Sequence, residues 1–295
     1  MRRTLLILIS FISPTLLFGD MNVFAQLIVE GKNFNGERYV YFFDYPHTGY
    51  TVLDSILLRV NYLSDFAIDT TSGLRIKETS TLEIGKHINK FYHFQYFETD
   101  SLLKLGSELP VISNILYEDI SYPLTFFEAI YQNYPEDRLT CTGRVITQDF
   151  LYEEDMPEMG WSISDSTKNI LNMVCFKATC RFRGRDYTAW FTPDIPAMSG
   201  PWKFSGLPGL ILEVYDSRRE YIFTALELYR TRCSIDLPDK MYVKTKRANY
   251  IKAKRLMLTN AVQASRLYLV NSRWKLMGEG TDRVTPMNYD FIEKD

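Results

Sequence analysis

The sequence predicts a mainly β protein of the α+β class, built as a curved antiparallel sheet or open barrel with one or two packed helices. Aromatic residues form 15% of the chain, with 20 Tyr and 19 Phe, and aromatic side chains favour strands. Short segments with period-two alternation recur along the chain. Only residues 244–263 have the apolar spacing of a good helix, and one such helix leaves no room for an alternating βαβ order.

The first 25 residues are typical of a secretory signal peptide. Arg2 and Arg3 give a positive start, residues 5–18 form an apolar run, and residues 23–25 suit signal peptidase. A membrane anchor is the weaker interpretation because the run is short and interrupted. We expect a mature chain that begins at Gln26 and lies in the periplasm or outside the cell. It would have no lipoprotein cysteine and no transmembrane anchor once the signal is removed.

The mature chain is predicted to form one β-rich domain at residues 26–275 and a loosely ordered tail at 276–295. The predicted strands lie at 27–31, 37–45, 52–66, 78–84, 91–97, 140–152, 174–182, 210–215 and 221–228. Residues 99–109 are predicted to form a short helix capped by Thr99 or Asp100, and residues 126–131 a helical turn. Residues 153–157 are predicted to be an acidic surface loop.

The best-defined predicted element is a hairpin within residues 174–191. Its first strand alternates between apolar and polar side chains, and Gly184-Arg185 suits the centre of a type II′ turn. This turn predicts that Arg183 and Asp186 face each other next to the turn. Further along the two strands, the expected cross-strand pairs are Phe182 with Tyr187, Cys180 with Ala189, and Ala178 with Phe191.

An unusual loop follows the hairpin at residues 193–209. Four prolines exclude a regular strand or helix, yet the loop is rich in apolar side chains. We expect the loop to cover the sheet, with Trp202 and Phe204 pointing inward and Lys203 reaching water. Alternatively, the loop docks a ligand or partner. The candidate binding residues in that case are Trp190, Ile195, Trp202, Phe204 and Leu207.

The same region carries a family resemblance. The motifs are FRGR at 182–185, WFT at 190–192, IP at 195–196, GPWKF at 200–204 and GLPGLI at 206–211. In this order they resemble the GLPGLI family of exported proteins from Bacteroidetes-type bacteria. The resemblance is closest over residues 161–228 and looser over 78–97. It implies export, and it implies no particular chemistry because the family has no established activity.

Four cysteines in an exported chain suggest disulfides. Cys175 and Cys180 lie on one predicted strand, about 16 Å apart at ~3.3 Å per residue, so they cannot pair with each other. Cys141 can then pair with Cys175 and Cys180 with Cys233, or Cys141 can pair with Cys180 and Cys175 with Cys233. Free buried thiols are the alternative.

No catalytic motif appears in the sequence. The histidines His47, His87 and His93 lack metal-ligand spacing, and we predict neither a metal site nor a cofactor. Asp194, Glu213 and Asp216 flank the loop, but turn and strand positions explain them locally. A formal charge of −2 argues against a nucleic-acid partner.

Two classes of function remain open at this stage. The favoured class is a non-enzymatic binding or envelope-biogenesis protein of the cell envelope, which acts on a lipid, a peptide or a segment of an outer-membrane protein. The alternative is a periplasmic hydrolase of unfamiliar type that uses carboxylates and a histidine brought together by the fold. A histidine and two carboxylates in one pocket would favour the hydrolase, and a pocket lined by aromatic side chains would favour binding.

Overall fold

The computed structural model describes residues 25–32, 38–45, 49–93, 128–145, 148–260 and 292–293. The predicted signal peptide before residue 25 and the predicted helix at 99–109 lie outside these ranges. Strands β1 (Ala25–Lys32) and β2 (Arg38–Tyr45) pair antiparallel as a two-stranded sheet. The remaining described strands form a single 13-stranded sheet.

The large sheet contains strands β3 to β15. Their bounds are β3 Tyr50–Asp69, β4 Leu74–Gly85, β5 Asn89–His93, β6 Glu128–Gln132, β7 Arg138–Val145, β8 Gln148–Asp155, β9 Ser162–Ile170, β10 Met173–Phe182, β11 Arg185–Thr192, β12 Leu210–Asp216, β13 Tyr221–Tyr229, β14 Ser234–Pro238 and β15 Val243–Thr245. The order across the sheet is β15-β8-β7-β6-β5-β4-β3-β13-β12-β11-β10-β9, and β14 pairs with the start of β3. All pairs are antiparallel except β15 with β8. The prediction of a mainly β fold is confirmed, and the sheet is open, with β15 and β9 at its two ends.

The described part of the chain has one helix, α1 (Arg247–Thr259), which is shorter than predicted. The predicted apolar face is correct, since Tyr250, Ala253 and Met257 are buried. The Tyr250 ring lies 5.4 Å from the ring of Tyr152 on β8, so the helix packs on one end of the sheet. No helix within the described ranges is both long and apolar enough to cross a membrane.

Two predictions between residues 126 and 152 are wrong. The predicted helical turn contains strand β6, which pairs with both β5 and β7, because pairing on two sides outweighs a weak local preference. The single strand predicted at 140–152 is a hairpin of two strands, with Val145 opposite Gln148. The turn was missed because no Gly or Pro marks it.

The central hairpin forms from β10 and β11, but its turn lies one residue earlier than predicted. Arg183 and Gly184 have φ of 48° and 75°, the signs that a two-residue type I′ turn requires. Cys180 therefore faces Tyr187, and Arg181 replaces Arg183 opposite Asp186. Each pairing shifts by two residues, so every side chain keeps its predicted face.

The predicted disulfides do not form. All four cysteines are free thiols, with Cys141, Cys175 and Cys180 buried and Cys233 exposed. Cys141 lies on β7 and the next two lie on β10, and these strands are far apart in the sheet order. The two buried thiols of β10 therefore act as small apolar side chains in the core.

Candidate functional site

The loop at residues 193–209 is neither a helix nor a strand, as predicted, and hydrogen bonds at both ends hold it in place. The Leu210 N–H donates to Ile195 O at 3.0 Å, and the Ile211 N–H donates to Ser199 O at 3.0 Å. The Ser199 hydroxyl donates to Gln132 Oε1 at 2.8 Å. The loop is thereby fixed to its own next strand and to β6 on the other half of the sheet.

The apolar side chains of this loop belong to the main core. Trp202 is 4% exposed, Phe204 0% and Leu207 1%. The Phe204 ring lies 4.8 Å from the Tyr187 ring with its plane at 70°, an edge-to-face contact. The loop therefore fills space between strands, and these three candidate binding residues lie inside the protein.

Packing also explains the GLPGLI hexapeptide. A Cβ atom on Gly209 would lie 2.1 Å from the carbonyl oxygen of Thr192, so only glycine fits there. Leu207, Leu210 and Ile211 are buried. The hexapeptide joins the loop to strand β12 and presents no group that can act as an acid, base or nucleophile.

Lys203 contradicts the sequence prediction, because its side chain is 1% exposed rather than in water. Trp202 has a φ of 53°, so the chain does not alternate here as an extended strand would. The Lys203 ammonium donates to Tyr152 Oη at 3.0 Å, to Glu154 Oε1 at 2.6 Å and to Glu293 Oε1. The prediction that Lys203 reaches water, which rested on its alternation with Trp202 and Phe204, is therefore wrong.

Lys203 is the centre of an ion cluster that contains Glu154, Glu293, Arg183 and Arg247. Arg183 Nη2 donates to Glu154 Oε2 at 2.8 Å, and Arg247 Nε donates to Glu293 Oε2 at 2.5 Å. The five groups come from β8, the turn between β10 and β11, the loop, α1 and residues 292–293. The ion cluster therefore ties distant parts of the chain to the loop.

Electrostatics keep the central groups of the ion cluster charged. Burial disfavours the charged form of Lys203, but the carboxylates of Glu293 and Glu154 outweigh burial and raise the pKa of its ammonium. Burial likewise disfavours ionised Glu293, but Lys203 and Arg247 lower the pKa of its carboxyl. Both groups thus keep their charges near neutral pH and are not poised to exchange protons.

Two predicted site residues, Trp190 and Ile195, are only partly buried. Trp190 pairs with Lys177 on one neighbouring strand and with Glu213 on the other. Its side chain lies on the sheet face opposite to the one that carries the buried side chains of Ala189 and Phe191. The Lys168 ammonium lies 4.5 Å from the centre of the Trp190 ring and 2.5 Å from Glu213 Oε2. Trp190, on β11, is therefore the candidate residue that a side chain of the end strand β9, Lys168, contacts across β10.

Strand β9 is an exposed sheet edge. Among the described strands it pairs only with β10, and most of its side chains are exposed. The register of this pairing shifts between Phe176 and Ala178 of β10. The longest uninterrupted pairing of β9 therefore covers residues 167–170. The turn that follows, Leu171-Asn172, has φ of 51° and 62° and makes Ile170 and Met173 the closing pair.

Two of the titratable residues considered from the sequence, His93 and Asp216, have local partners. His93 Nδ1 lies 2.6 Å from Glu78 Oε1, with both side chains buried. Asp216 contacts Arg185 at 2.8 Å and accepts the Tyr221 N–H at 2.9 Å. The described residues contain no group of three His, Cys, Asp or Glu side chains that could hold a metal ion. The side chain of His47 lies outside the described residues.

Sequence reasoning missed Glu154, Arg247 and Glu293, three members of the ion cluster. Glu154 was assigned to an acidic surface loop, but it is the last residue but one of strand β8 and only 12% of its side chain is exposed. Its spacing of two from Tyr152 was the one signal that could have placed it on the inner face. Glu293 falls in the predicted loose tail. The structure describes residues 292–293 of this tail, and they pack against the core.

Comparison with protein families gives a match in the region of the loop. The family model described as a protein of unknown function (Porph_ging) matches residues 183–213, which span the hairpin turn, the loop and most of β12. The resemblance to the GLPGLI family is confirmed over this segment. The comparison with curated proteins found no match.

Among solved structures, the chain is similar to PNGF-II in its P21 and C2 space groups. The identities are 11% and 12%, and the TM-scores are 0.47 and 0.46. The similarity covers 67% and 68% of this chain and 32% of the PNGF-II chain in both cases. The chain thus spans about a third of these proteins, and a similarity of this size supports no conclusion about activity.

Proposed function

We propose that the protein is an exported, non-enzymatic binding protein of the cell envelope and that its ligand is an extended peptide segment. The observation that carries this proposal is the exposed edge of β9, whose Lys168 side chain reaches Trp190. An open sheet edge presents main-chain donors and acceptors that can pair with an added strand. The charged groups of the ion cluster, by contrast, are engaged with one another in the core.

The geometry of the β9–β10 turn identifies the groups that would pair with the peptide. In a two-residue hairpin the closing pair exchanges hydrogen bonds, and along the strand hydrogen-bonded and non-hydrogen-bonded pairs alternate. Ile170 and Lys168 then bond to β10, and Thr167 and Asn169 direct their N–H and C=O groups outward. These two residues would supply the main-chain contacts, and Lys168, Trp190 and Glu213 the neighbouring side chains.

The binding test uses random 12-residue peptides displayed on phage and selected on the immobilised mature protein. Enriched peptides are then measured by calorimetry with the protein in solution. We expect Asn169→Pro to weaken binding by at least about tenfold, because proline removes one outward donor. Asn169→Ala is the matched control and should bind like the wild type, since it keeps the donor.

Two outcomes would oppose strand addition. Peptides that bind Asn169→Pro and wild-type protein equally would place the site elsewhere. Enrichment of no peptide, together with binding to vesicles of phosphatidylethanolamine and phosphatidylglycerol, would replace the peptide with a lipid. Hydrogen exchange gives an independent measurement, because an added strand should slow exchange at residues 167–170 and leave β15, at the other end of the sheet, unchanged.

Export is the second testable part of the proposal. The positive start and the apolar run that follows support cleavage of the signal after Ala25. We expect expression in a Gram-negative host to yield a periplasmic or secreted protein whose first residue is Gln26, as measured by mass spectrometry of the intact chain. Recovery of a cytoplasmic protein that still begins at Met1 would contradict export and would leave the β9 test unaffected.

A further inference from the structure

The carboxylate of Glu293 occupies a site built by other parts of the chain. Its side chain is buried, and its two oxygens have different partners: Lys203 Nζ contacts Oε1, and Arg247 Nε contacts Oε2 at 2.5 Å. The adjacent carbonyl of Ile292 accepts a hydrogen bond from the Tyr187 hydroxyl at 3.3 Å. This is a carboxylate held from two sides by cations, as in a ligand-binding site.

The surrounding groups include a donor that the ion cluster does not use. Arg183 pairs with Glu154 through Nη2, but its Nε is buried and has no hydrogen-bond partner among the described residues. Without Glu293, the ammonium of Lys203 and the guanidinium of Arg183 would share one carboxylate, that of Glu154, as their ion-pair partner among the described residues. A buried ammonium that loses one of its two carboxylates strongly favours the binding of another anion.

The outer side chains of the site are partly exposed to solvent. The Lys203 side chain at its base is 1% exposed, whereas the side chains of Arg183 and Arg247 are 24% and 16% exposed. The cations at the rim therefore reach the surface, and departure of Glu293 would open the site to water. An anion that entered would meet the two guanidinium groups before the ammonium.

We propose that Lys203, Arg183 and Arg247 form a carboxylate-binding site, that Glu293 is its internal occupant, and that an acidic peptide competes with Glu293 for it. The site is separate from the proposed peptide edge. Arg183 follows the last residue of β10, whereas residues 167–170 pair with the first residues of that strand. The two proposals can therefore fail independently.

The first experiment is chemical rescue of Glu293→Ala. We expect sodium acetate at 0.1 M to raise the Tm of this variant by about 3 °C above the value in sodium chloride of equal ionic strength. Acetate should have no such effect on wild-type protein or on Glu293→Gln, in which the side chain still fills the site. If Glu293→Ala does not fold in chloride, the yield of folded protein after refolding in acetate and in chloride gives the same comparison.

The second experiment tests competition in the wild-type protein. Pentaglutamate should accelerate hydrogen exchange at residues 292–293, and pentalysine of the same length should not. Equal Tm values for Glu293→Ala in acetate and chloride would overturn the carboxylate site. Rescue by acetate without any effect of pentaglutamate would retain the site and reject the competing peptide.

Discussion

Lys203→Met is expected to lower the free energy of unfolding by about 3–5 kcal/mol, because it removes one partner of a buried charged group and leaves the others uncompensated. Methionine approximates the length of the lysine stem, so the loss reports charge more than packing. Glu154 and Glu293 would remain buried beside an apolar side chain. Urea unfolding followed by tryptophan fluorescence measures the change.

The matched control is Arg181→Met, which removes a cation from an exposed ion pair. Arg181 contacts Asp186 at 3.0 Å, with side chains 71% and 61% exposed. Exposed pairs contribute about 0–1 kcal/mol, so this variant should unfold almost like the wild type. Equal losses in the two variants would mean that the ion cluster has no special role in stability.

The pKa shifts set the pH range over which Lys203→Met should differ from the wild type. Because the folded pKa of Lys203 is raised, its contribution is complete below the ordinary lysine pKa and is lost as the pH rises through the folded value. Because the folded pKa of Glu293 is lowered, its contribution is complete above the ordinary glutamate pKa and is lost as the pH falls through the folded value. The stability difference should therefore be constant around neutral pH and decrease in strong acid and strong base.

Phe204→Ala is expected to cost about 3–5 kcal/mol, because it opens a cavity in the centre of the core. The Phe204 ring contacts the rings of Tyr187, Trp202 and Phe223, at centroid distances of 4.8, 5.2 and 6.4 Å. These neighbours come from two strands and the loop itself, so they cannot all move to fill the space. Thermal and urea unfolding should both show the loss.

Met198→Ala controls for changes in the same loop, since Met198 is 62% exposed and its removal should change stability by less than about 0.5 kcal/mol. A Tm shift of less than about 2 °C for Phe204→Ala would contradict the core role of the loop. In that case the aromatic side chains of the loop would again be candidates for ligand binding. A large shift for Phe204→Ala alone would agree with the structure.

The mainly β class, most of the longer strands and the apolar faces of the central hairpin were predictable because they depend on local alternation, whereas the mostly exposed end strand β9 was not predicted. The hairpin register was not, because turns centred on Arg183-Gly184 and on Gly184-Arg185 place the same side chains on the same faces. Only φ values at the turn distinguish the two. Alternation also failed at Trp202, where a left-handed backbone conformation directs both Trp202 and Lys203 into the core.

The ion cluster was beyond prediction because its members are distant in sequence. The acidic partners of Lys203 lie 49 and 90 residues away, and apart from the spacing of Glu154 from Tyr152 nothing in either position suggests that its carboxylate is buried. Trp190 and Ile195 were selected for their apolar character, and they are partly buried and pack against the core. A single sequence identifies apolar segments, but it does not identify which charged groups the fold brings among them.

The position of the loop between Gln132 and Glu293 has a consequence for how the protein folds. The carbonyl of Trp202 accepts a hydrogen bond from a side chain 70 residues earlier, and the ammonium of Lys203 bonds to one 90 residues later. Contacts of such long range close large chain loops and form slowly. If the chain crosses a membrane from its first residue onward, the loop at residues 193–209 cannot reach its final surroundings until residue 293 has also crossed. Folding would then follow translocation instead of accompanying it, and the loop would need protection from aggregation in the interval.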